Sequence, residues 1–195
     1  MERDIVYEEW DNVYPPLEDT LLLAKNIDVR PGDKVLEIGC GTGYVSIAAA
    51  MMGGIVEGVD INAAAVSLSS LNAKKNGVKN ARFHIGDMFE NVDGPFDVII
   101  FNPPYLPSER MDTDIYDKCW DGGEDGREVT DRFLDGLRGN IKEGGSIFLL
   151  QSSFCDPERT MERLCSLGFS SKVIAKEKLF FEELFVIRST YMAPR

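Results

Sequence analysis

Residues 35–43 read Val35-Leu36-Glu37-Ile38-Gly39-Cys40-Gly41-Thr42-Gly43, a short apolar run followed by three glycines at alternate positions. The run predicts a β-strand. The glycines predict a tight turn into a helix, because glycine lets the backbone turn sharply and lets a ligand approach it closely. The spacing G-x-G-x-G differs from the G-x-G-x-x-G of dinucleotide sites. The stretch therefore predicts the cofactor loop of an α/β fold.

Acidic residues at the ends of three predicted strands narrow the choice of cofactor. Glu37 sits just before the glycine turn, where a carboxylate would repel a pyrophosphate but could hold a cationic amine. Asp60 follows about 20 residues later and can accept both ribose hydroxyls. Asp87 can accept from an exocyclic amine, while Met88 or Phe89 packs on a purine. One such acidic residue alone is most often a solvated strand end, but amine, ribose and adenine sites in series describe S-adenosylmethionine.

Strands and helices alternate through the chain, which indicates a mostly parallel sheet with helices on both faces. We predict strands at 34–38, 55–60, 81–85, 96–101, 145–151, 172–177 and 182–188, and helices at 17–27, 43–52, 63–76, 125–139 and 157–167. The last two strands look like an antiparallel hairpin. The long segment 106–124 is a candidate functional loop. Ligands of such sheets bind at the carboxyl ends of the strands, near a topological switch point.

A second motif, Asn102-Pro103-Pro104-Tyr105, follows the apolar strand at 96–101. Each proline fixes φ at about −65° and lacks a backbone N–H, so the loop is stiff and presents carbonyl oxygens. The Asn102 side-chain oxygen and a neighbouring carbonyl can accept both hydrogens of a planar NH2 group, and Tyr105 can cover its flat face. A proline loop that merely ends a strand is the alternative, and the tetrapeptide alone does not decide between the two.

Length and charge set the class of protein. With 195 residues the chain can bury a substantial core, and we predict a single domain over residues 1–195. It has no apolar run of about 18 residues and no signal-peptide core at its start, so we expect a cytoplasmic protein without a membrane span. The net charge of −12 disfavours a nucleic-acid partner and favours basic protein surfaces.

The cysteines and the single histidine restrict the chemistry further. Cys40, Cys119, Cys155 and Cys165 are scattered without a C-x-x-C pair, which fits reduced thiols better than disulfides or zinc. His84 stands alone, which removes Ser-His-Asp hydrolysis and most histidine-rich metal sites. We therefore expect no metal in the site and interpret His84 as a polar residue on a strand.

These motifs resemble those of class I S-adenosylmethionine-dependent methyltransferases, and the resemblance runs from about residue 6 to the end of the chain. The motif at 102–105 is shared by enzymes that act on planar amino or amide nitrogens. Two longer segments are similar to those of the HemK-like release factor glutamine methyltransferases of the archaeal and eukaryotic type. They read Val13-Tyr14-Pro15-Pro16-Leu17-Glu18-Asp19-Thr20 and Trp120-Asp121-Gly122-Gly123-Glu124-Asp125-Gly126-Arg127-Glu128-Val129-x-Asp131-Arg132-Phe133.

The resemblance implies a Rossmann-like fold with a seven-stranded, mostly parallel sheet and a C-terminal antiparallel hairpin. It implies N5-methylation of the glutamine in the Gly-Gly-Gln motif of a class-1 peptide chain release factor, with catalytic roles for Asn102, Pro103 and Tyr105. It implies S-adenosylmethionine contacts from Thr20, Glu37, Gly39, Gly41, Asp60, Asp87, Met88 and Asn102. It also implies a heterodimer with a small zinc-binding activator that covers an apolar sheet edge, and the absence of the helical N-terminal domain of bacterial members.

Other functions stay open at this point. An N6-adenine DNA methyltransferase would flip a base into the same pocket, although it normally has a target-recognition domain and a basic surface. Methylation of a protein lysine or of a small metalloid fits the pocket as well. A non-catalytic scaffold that binds the cofactor is a further class, but it would not need the Asn-Pro-Pro-Tyr motif.

Overall fold

The computed structural model describes residues 4–107 and 120–192. The strands in this part of the chain are β1 Lys34–Ile38, β2 Ile55–Asp60, β3 Ala81–Ile85, β4 Phe96–Phe101, β5 Ile141–Ser152, β6 Phe169–Lys178 and β7 Glu183–Tyr191. The α-helices are α1 Glu18–Asn26, α2 Tyr44–Met51, α3 Ala63–Lys75, α4 Glu128–Gly136 and α5 Pro157–Ser166. A short 3-10 helix, Ser153–Cys155, follows β5.

Over the described residues the seven strands form one sheet in the order β3-β2-β1-β4-β5-β7-β6. The pairs from β3 to β5 are parallel, whereas β7 pairs antiparallel with both β5 and β6. The predicted Rossmann-like fold with a C-terminal antiparallel hairpin is therefore confirmed.

Helices cover both faces of the sheet. Successive strand residues point to opposite faces, and in the central strands both sets are apolar, so both faces need a cover. In β4, Val98 and Ile100 join a core cluster with α1 and α2. Their neighbours Ile99 and Phe101 join a second cluster with α4 and α5. All four side chains are buried, as expected for a parallel strand that is covered on both faces.

The first four predicted strands agree with the structure residue for residue, but α4 is shorter than predicted. The predicted start at residue 125 was wrong because Gly126 lies in a turn with φ +70°, and its N–H donates to the Gly123 carbonyl at 3.1 Å. The predicted end at 139 was wrong because Gly139 has φ +88°. Strand β5 begins earlier than predicted, since Ile141 already pairs with Phe96.

The two sequence motifs meet at the topological switch point of the sheet. The chain continues from β1 toward β2 and β3 on one side, and from β4 toward β5 on the other. Strands β1 and β4 are parallel neighbours, and their last residues, Ile38 and Phe101, are register partners. The glycine turn and the motif at 102–105 therefore start side by side, where ligands of such sheets bind.

Neither a membrane-spanning helix nor a metal-ligand cluster occurs in the described ranges. No helix in 4–107 or 120–192 is both long and apolar enough to cross a bilayer. The same ranges contain no cluster of three or more histidine, cysteine, aspartate or glutamate side chains arranged to hold a metal ion. Residues 108–119 of the predicted functional loop, including Cys119, lie outside the described residues. The other cysteines, Cys40, Cys155 and Cys165, are free thiols.

Candidate active site

A cavity of about 440 Å³ opens at the carboxyl ends of β1 to β4. Its wall includes every residue predicted for the site: Thr20, Glu37, Gly39, Gly41, Asp60, Asp87, Met88, Asn102, Pro103 and Tyr105. His84 is not among the lining residues; its Nε2 lies 2.8 Å from Glu57 Oε1 on the neighbouring strand. The fold thus brings together residues that are spread over most of the chain.

The glycine turn after β1 is closely packed and tied to β2. Gly41 and Gly43 have φ of +51° and +79°, in the left-handed region that favours glycine. A Cβ atom on Gly43 would lie 2.8 Å from the Ser69 Cβ atom on α3. The Gly41 N–H donates to Asp60 Oδ2 at 2.9 Å. The turn is therefore held between α3 and the end of β2.

Glu37 is a buried carboxyl group on the cavity wall, with only 4% of its surface exposed. The Ser46 hydroxyl donates to its Oε2 atom. Burial raises the pKa of Glu37 to about 8, the nearby Asp60 carboxylate adds to this, and the hydrogen bonds from Ser46 oppose it. A cationic ligand group next to Glu37 would favour the ionised form again.

Asp60 and Asp87 are carboxylates at the ends of β2 and β3, but their environments differ. Burial raises the pKa of Asp60, whose Oδ1 accepts from the Asn62 N–H at 2.9 Å. A carboxylate has about four acceptor positions, so both oxygens keep capacity for ligand hydroxyls. Asp87 is partly exposed and accepts from Arg132 at 2.7 Å. Met88 beside it has φ +54°, a left-handed conformation that is rare for a non-glycine residue.

The orientation of the Asn102 amide follows from its neighbour Asp19. The Asn102 Nδ2 atom lies 3.0 Å from Asp19 Oδ2. A carboxylate can only accept, so the NH2 end must face Asp19 and the Oδ1 end must point away from it. Asn102 Oδ1 is buried and has no hydrogen-bond partner among the residues that the structure describes. Buried polar atoms are usually paired, so this acceptor indicates a position for a ligand donor.

Asp19 is a site residue that the sequence reasoning missed. It is 3% exposed, and its oxygens also accept from the Tyr14 hydroxyl at 2.7 Å, the Thr20 N–H at 2.6 Å and the Thr20 hydroxyl at 3.2 Å. The similarity of the segment 13–20 to the HemK-like enzymes was the available signal, but only Thr20 was assigned from it.

Aromatic side chains complete the wall near Asn102. Burial, and then the Asp19 carboxylate, raise the pKa of Tyr14 and Tyr105 above the usual range, so both phenols stay neutral. The Trp120 ring packs edge-on against Tyr14 with centroids 4.6 Å apart. Leu106 forms an isolated parallel bridge with Asp121. The residues on either side of 108–119 therefore meet beside the cavity.

In the segment around Arg127, some residues line the cavity and Arg127 itself holds two helices together. Glu128, Val129 and Arg132 line the cavity, whereas Arg127 does not. Arg127 is 2% exposed and donates to the carbonyls of Cys155 and Asp156. It therefore ties the start of α4 to the start of α5.

A sheet of this strand order, with acidic residues at three strand ends around one cavity, defines a class of protein, the Rossmann-like methyltransferases. A family model described as the methyltransferase small domain matches residues 18–180. The chain therefore belongs to the methyltransferase small domain family and is an enzyme of that class.

Relatives agree with this assignment over nearly the whole chain. A Methanocaldococcus jannaschii protein, named provisionally as a protein N5-glutamine methyltransferase, is 51% identical over 181 residues, with 91% of each chain covered. The mouse methyltransferase HEMK2 is 29% identical over 191 residues, covering 91% of this chain and 89% of its own. The solved E. cuniculi Mtq2–Trm112 complex, described as responsible for methylation of the translation termination factor eRF1, matches with TM-score 0.73 and 26% identity. The match covers 92% of this chain and 99% of the other. The resemblance to HemK-like enzymes is thereby confirmed.

Proposed function

We propose that this chain transfers a methyl group from S-adenosylmethionine to the side-chain nitrogen of a glutamine, in the Gly-Gly-Gln motif of a class-1 release factor. The observation that carries the proposal is the buried Asn102 Oδ1 atom, an acceptor without a partner in the described ranges. The hydrogen bond from Asn102 Nδ2 to Asp19 orients this oxygen away from Asp19. The activities named for the M. jannaschii and E. cuniculi relatives favour a release factor glutamine over adenine. A reaction on a translation factor would take place in the cytoplasm.

The acceptor side of the proposed site is built for a planar amide. Such a group has two N–H donors. In the proposal, Asn102 Oδ1 accepts one, the Pro103 carbonyl accepts the other, and the neutral Tyr105 ring packs on the amide plane. These contacts draw electron density toward the attacking nitrogen, whose lone pair is otherwise delocalised. Fixed acceptors stabilise the positive charge that develops there, and alignment alone contributes through effective molarity.

The donor side of the proposed site is the row of strand ends. Glu37 holds the ammonium group of the cofactor, Asp60 the ribose hydroxyls and Asp87 the adenine amine, while Met88 packs on the purine. Gly39 and Gly41 bring the backbone close to the ligand, and Thr20 contacts it from α1. When bound there, S-adenosylmethionine supplies an electrophilic methyl group on its sulfonium. The nitrogen that gains the methyl becomes acidic and loses one proton to solvent, so no histidine base is required.

A small zinc-binding activator subunit is the second proposed partner. The Mtq2 relative is described in complex with Trm112. Strand β3 is a sheet edge in the described part of this chain, and Ile85 at its end is 57% exposed. An exposed strand edge with apolar side chains is a surface that a partner can cover. We expect Ile85→Asp to reduce copurification of that subunit, and unchanged copurification would exclude this edge.

The function is tested by mass spectrometry of the Gly-Gly-Gln peptide, after incubation of the full chain with S-adenosylmethionine, a purified release factor and the candidate activator. We expect a gain of one methylene unit on the glutamine. No gain there, together with methylated adenine in added DNA, would replace the proposal with the adenine alternative.

The division of roles is tested by two variants. We expect Asn102→Ala to abolish transfer while cofactor affinity stays nearly unchanged, because the amide contacts the acceptor. We expect Asp60→Ala to raise the cofactor dissociation constant. Isothermal titration measures the cofactor affinity of both variants, and circular dichroism confirms that they fold. Lost cofactor affinity in Asn102→Ala, or unchanged affinity in Asp60→Ala, would reject the assignment.

A further inference from the structure

Two adjacent phenylalanines are the most exposed large apolar side chains in the described part of the chain. Phe180 is 93% exposed and Phe181 is 83% exposed. Their rings contact each other edge to face, with centroids 4.6 Å apart and planes at 80°. Two aromatic rings in edge-to-face contact in solvent form a compact apolar knob, and aromatic residues are the usual anchors of protein interfaces.

The knob projects from a well-ordered turn. It lies between β6, which ends at Lys178, and β7, which begins at Glu183. The Leu179 N–H donates to the Glu182 carbonyl at 2.8 Å, which closes the turn. The Ser152 hydroxyl donates to the Glu182 carboxylate, and the Glu183 N–H donates to Ser153 Oγ at 3.1 Å. The two rings are therefore presented by a fixed backbone.

The turn lies level with the carboxyl ends of the parallel strands, where the active site is. Ser152, the last residue of β5, pairs with Leu184 at the start of β7, and β5 runs parallel to β4, which ends in the Asn102 motif. Leu179 and Tyr105 pack against one core cluster. The Glu182 carboxylate also contributes to the raised pKa of Tyr105, after burial and Asp19. The knob thus lies at the same ends of the strands as the acceptor side of the cavity but is not part of its lining.

The size of the cavity indicates what meets this surface. A volume of about 440 Å³ lies within the range of a small-molecule site. It has room for a cofactor and a side chain, but not for a folded protein. A protein that inserts one glutamine must therefore rest its surface on the rim around Tyr105. The net charge of −12 over the whole chain favours a basic partner.

We propose that Phe180 and Phe181 dock into an apolar recess on the surface of the protein substrate, next to the loop that carries the methyl-accepting glutamine. This inference rests on the proposed function and adds a recognition surface outside the catalytic cavity. The pair supplies affinity for the folded substrate and takes no part in methyl transfer itself.

The test compares two substrates and two double variants of the full chain, with the proposed activator present. The substrates are a purified release factor and a short Gly-Gly-Gln peptide. The docking variant is Phe180→Ser with Phe181→Ser. The matched control is Met51→Ser with Met52→Ser, which removes another adjacent exposed apolar pair, each 39% exposed, at the end of α2. Helix α2 begins after the carboxyl end of β1, where the active site lies, and runs back along the sheet. Met51 and Met52, at the end of α2, therefore lie near the opposite ends of the strands.

We expect the docking variant to raise KM for the release factor at least about tenfold, with kcat, cofactor affinity and peptide methylation unchanged. The control should leave all four quantities unchanged. An unaltered KM for the release factor would overturn the inference, as would an equal loss on both substrates, which would place the pair in the catalytic machinery. A change from dimer to monomer without a change in KM would make the knob a self-association surface instead. No transfer to the release factor by the unmodified chain would overturn the proposed function, and this inference with it.

Discussion

At the scale of single residues, the orientation of the Asn102 amide depends on the two acceptor oxygens of the Asp19 carboxylate. Asp19 Oδ2 accepts from Tyr14 and Asn102, and Asp19 Oδ1 accepts twice from Thr20. Both oxygens face two donors each. An asparagine at this position has only one acceptor oxygen, so in either orientation its NH2 group would face two donors. The pattern of bonds therefore requires a carboxylate.

We expect Asp19→Asn to lower kcat by roughly 10–100-fold, because a misoriented Asn102 no longer presents its oxygen to the target amide. The exposed neighbour provides the control, since Glu18→Gln should leave kcat unchanged. Steady-state kinetics with the Gly-Gly-Gln peptide measure both variants. Wild-type kcat in Asp19→Asn would show that Asn102 keeps its orientation without this carboxylate.

A second residue-scale prediction concerns the proton on Glu37. With its pKa at about 8, Glu37 is mostly protonated at pH 7, and a cationic ligand group would have to displace that proton. We therefore expect cofactor binding to release close to one proton, and the dissociation constant to fall by up to about tenfold per unit as pH rises toward 8.

Isothermal titration in buffers of different ionisation enthalpy measures the released proton. The amino group of the cofactor titrates near pH 8 as well, so Glu37→Gln serves to separate the two contributions. Below pH 8, cofactor binding to Glu37→Gln should no longer release this proton. The same proton release in Glu37→Gln as in the unmodified chain would assign the proton to another group.

At the scale of elements, the N-terminal segment is held by asparagine side chains of α3 rather than by a strand. Asn72 accepts from the Glu8 N–H at 2.8 Å and donates to the Glu8 carbonyl at 3.1 Å. It also donates to the Thr42 carbonyl of the glycine turn at 2.9 Å. One buried amide thus joins the segment before α1, helix α3 and the cofactor loop.

We expect Asn72→Leu to lower the free energy of unfolding by about 2–4 kcal/mol, since it leaves backbone groups of Glu8 and Thr42 without their partner. It should also weaken cofactor binding through the displaced turn. Asn76 makes the same pair of bonds to Val6 near the surface, where water can replace it. Asn76→Leu should therefore cost less than about 1 kcal/mol. Urea denaturation measures the free energy of unfolding of both variants, and equal losses in the two would contradict the prediction.

These contacts also mark the limit of what the sequence could predict. Strands β1 to β4 were predicted correctly because their patterns are local to the chain: β1, β2 and β4 are mainly apolar, and β3 alternates apolar residues with Arg82 and His84. Most site residues were found because they lie at or just after the end of a strand, whereas Thr20 in α1 was assigned from the similarity of the segment 13–20. Asp19 and Asn102 are 83 positions apart, and Glu8 and Asn72 are 64 positions apart. Nothing in their local surroundings predicts that they meet, since only the folded chain brings them together.

At the scale of the whole molecule, the net charge of −12 is the property that acts before any contact forms. An acidic enzyme attracts a basic substrate from solution, and salt screens that attraction over a Debye length of about 10 Å at 0.1 M. The short peptide lacks the surface charge of the folded release factor and so should not respond to the field.

We expect KM for the release factor to rise several-fold between about 50 and 300 mM sodium chloride, while KM for the short Gly-Gly-Gln peptide stays constant. Initial rates at constant cofactor concentration measure both. An equal response of the two substrates would mean that salt acts on the site itself and that steering contributes nothing.

The hydrogen bonds from Tyr14 and Asn102 to Asp19 have a consequence for redesign. In the proposed site the acceptor side comes from two short stretches, 14–19 and 102–105, whereas the cofactor contacts Glu37, Asp60, Asp87 and Met88 lie between residues 37 and 88. Thr20, the proposed cofactor contact that directly follows the first stretch, would be kept, so the proposal makes the two halves of the reaction separable. A graft that exchanges both acceptor stretches together would redirect the enzyme to a new nitrogen without rebuilding the donor half, whereas a graft of 102–105 alone would import an asparagine with nothing to aim it.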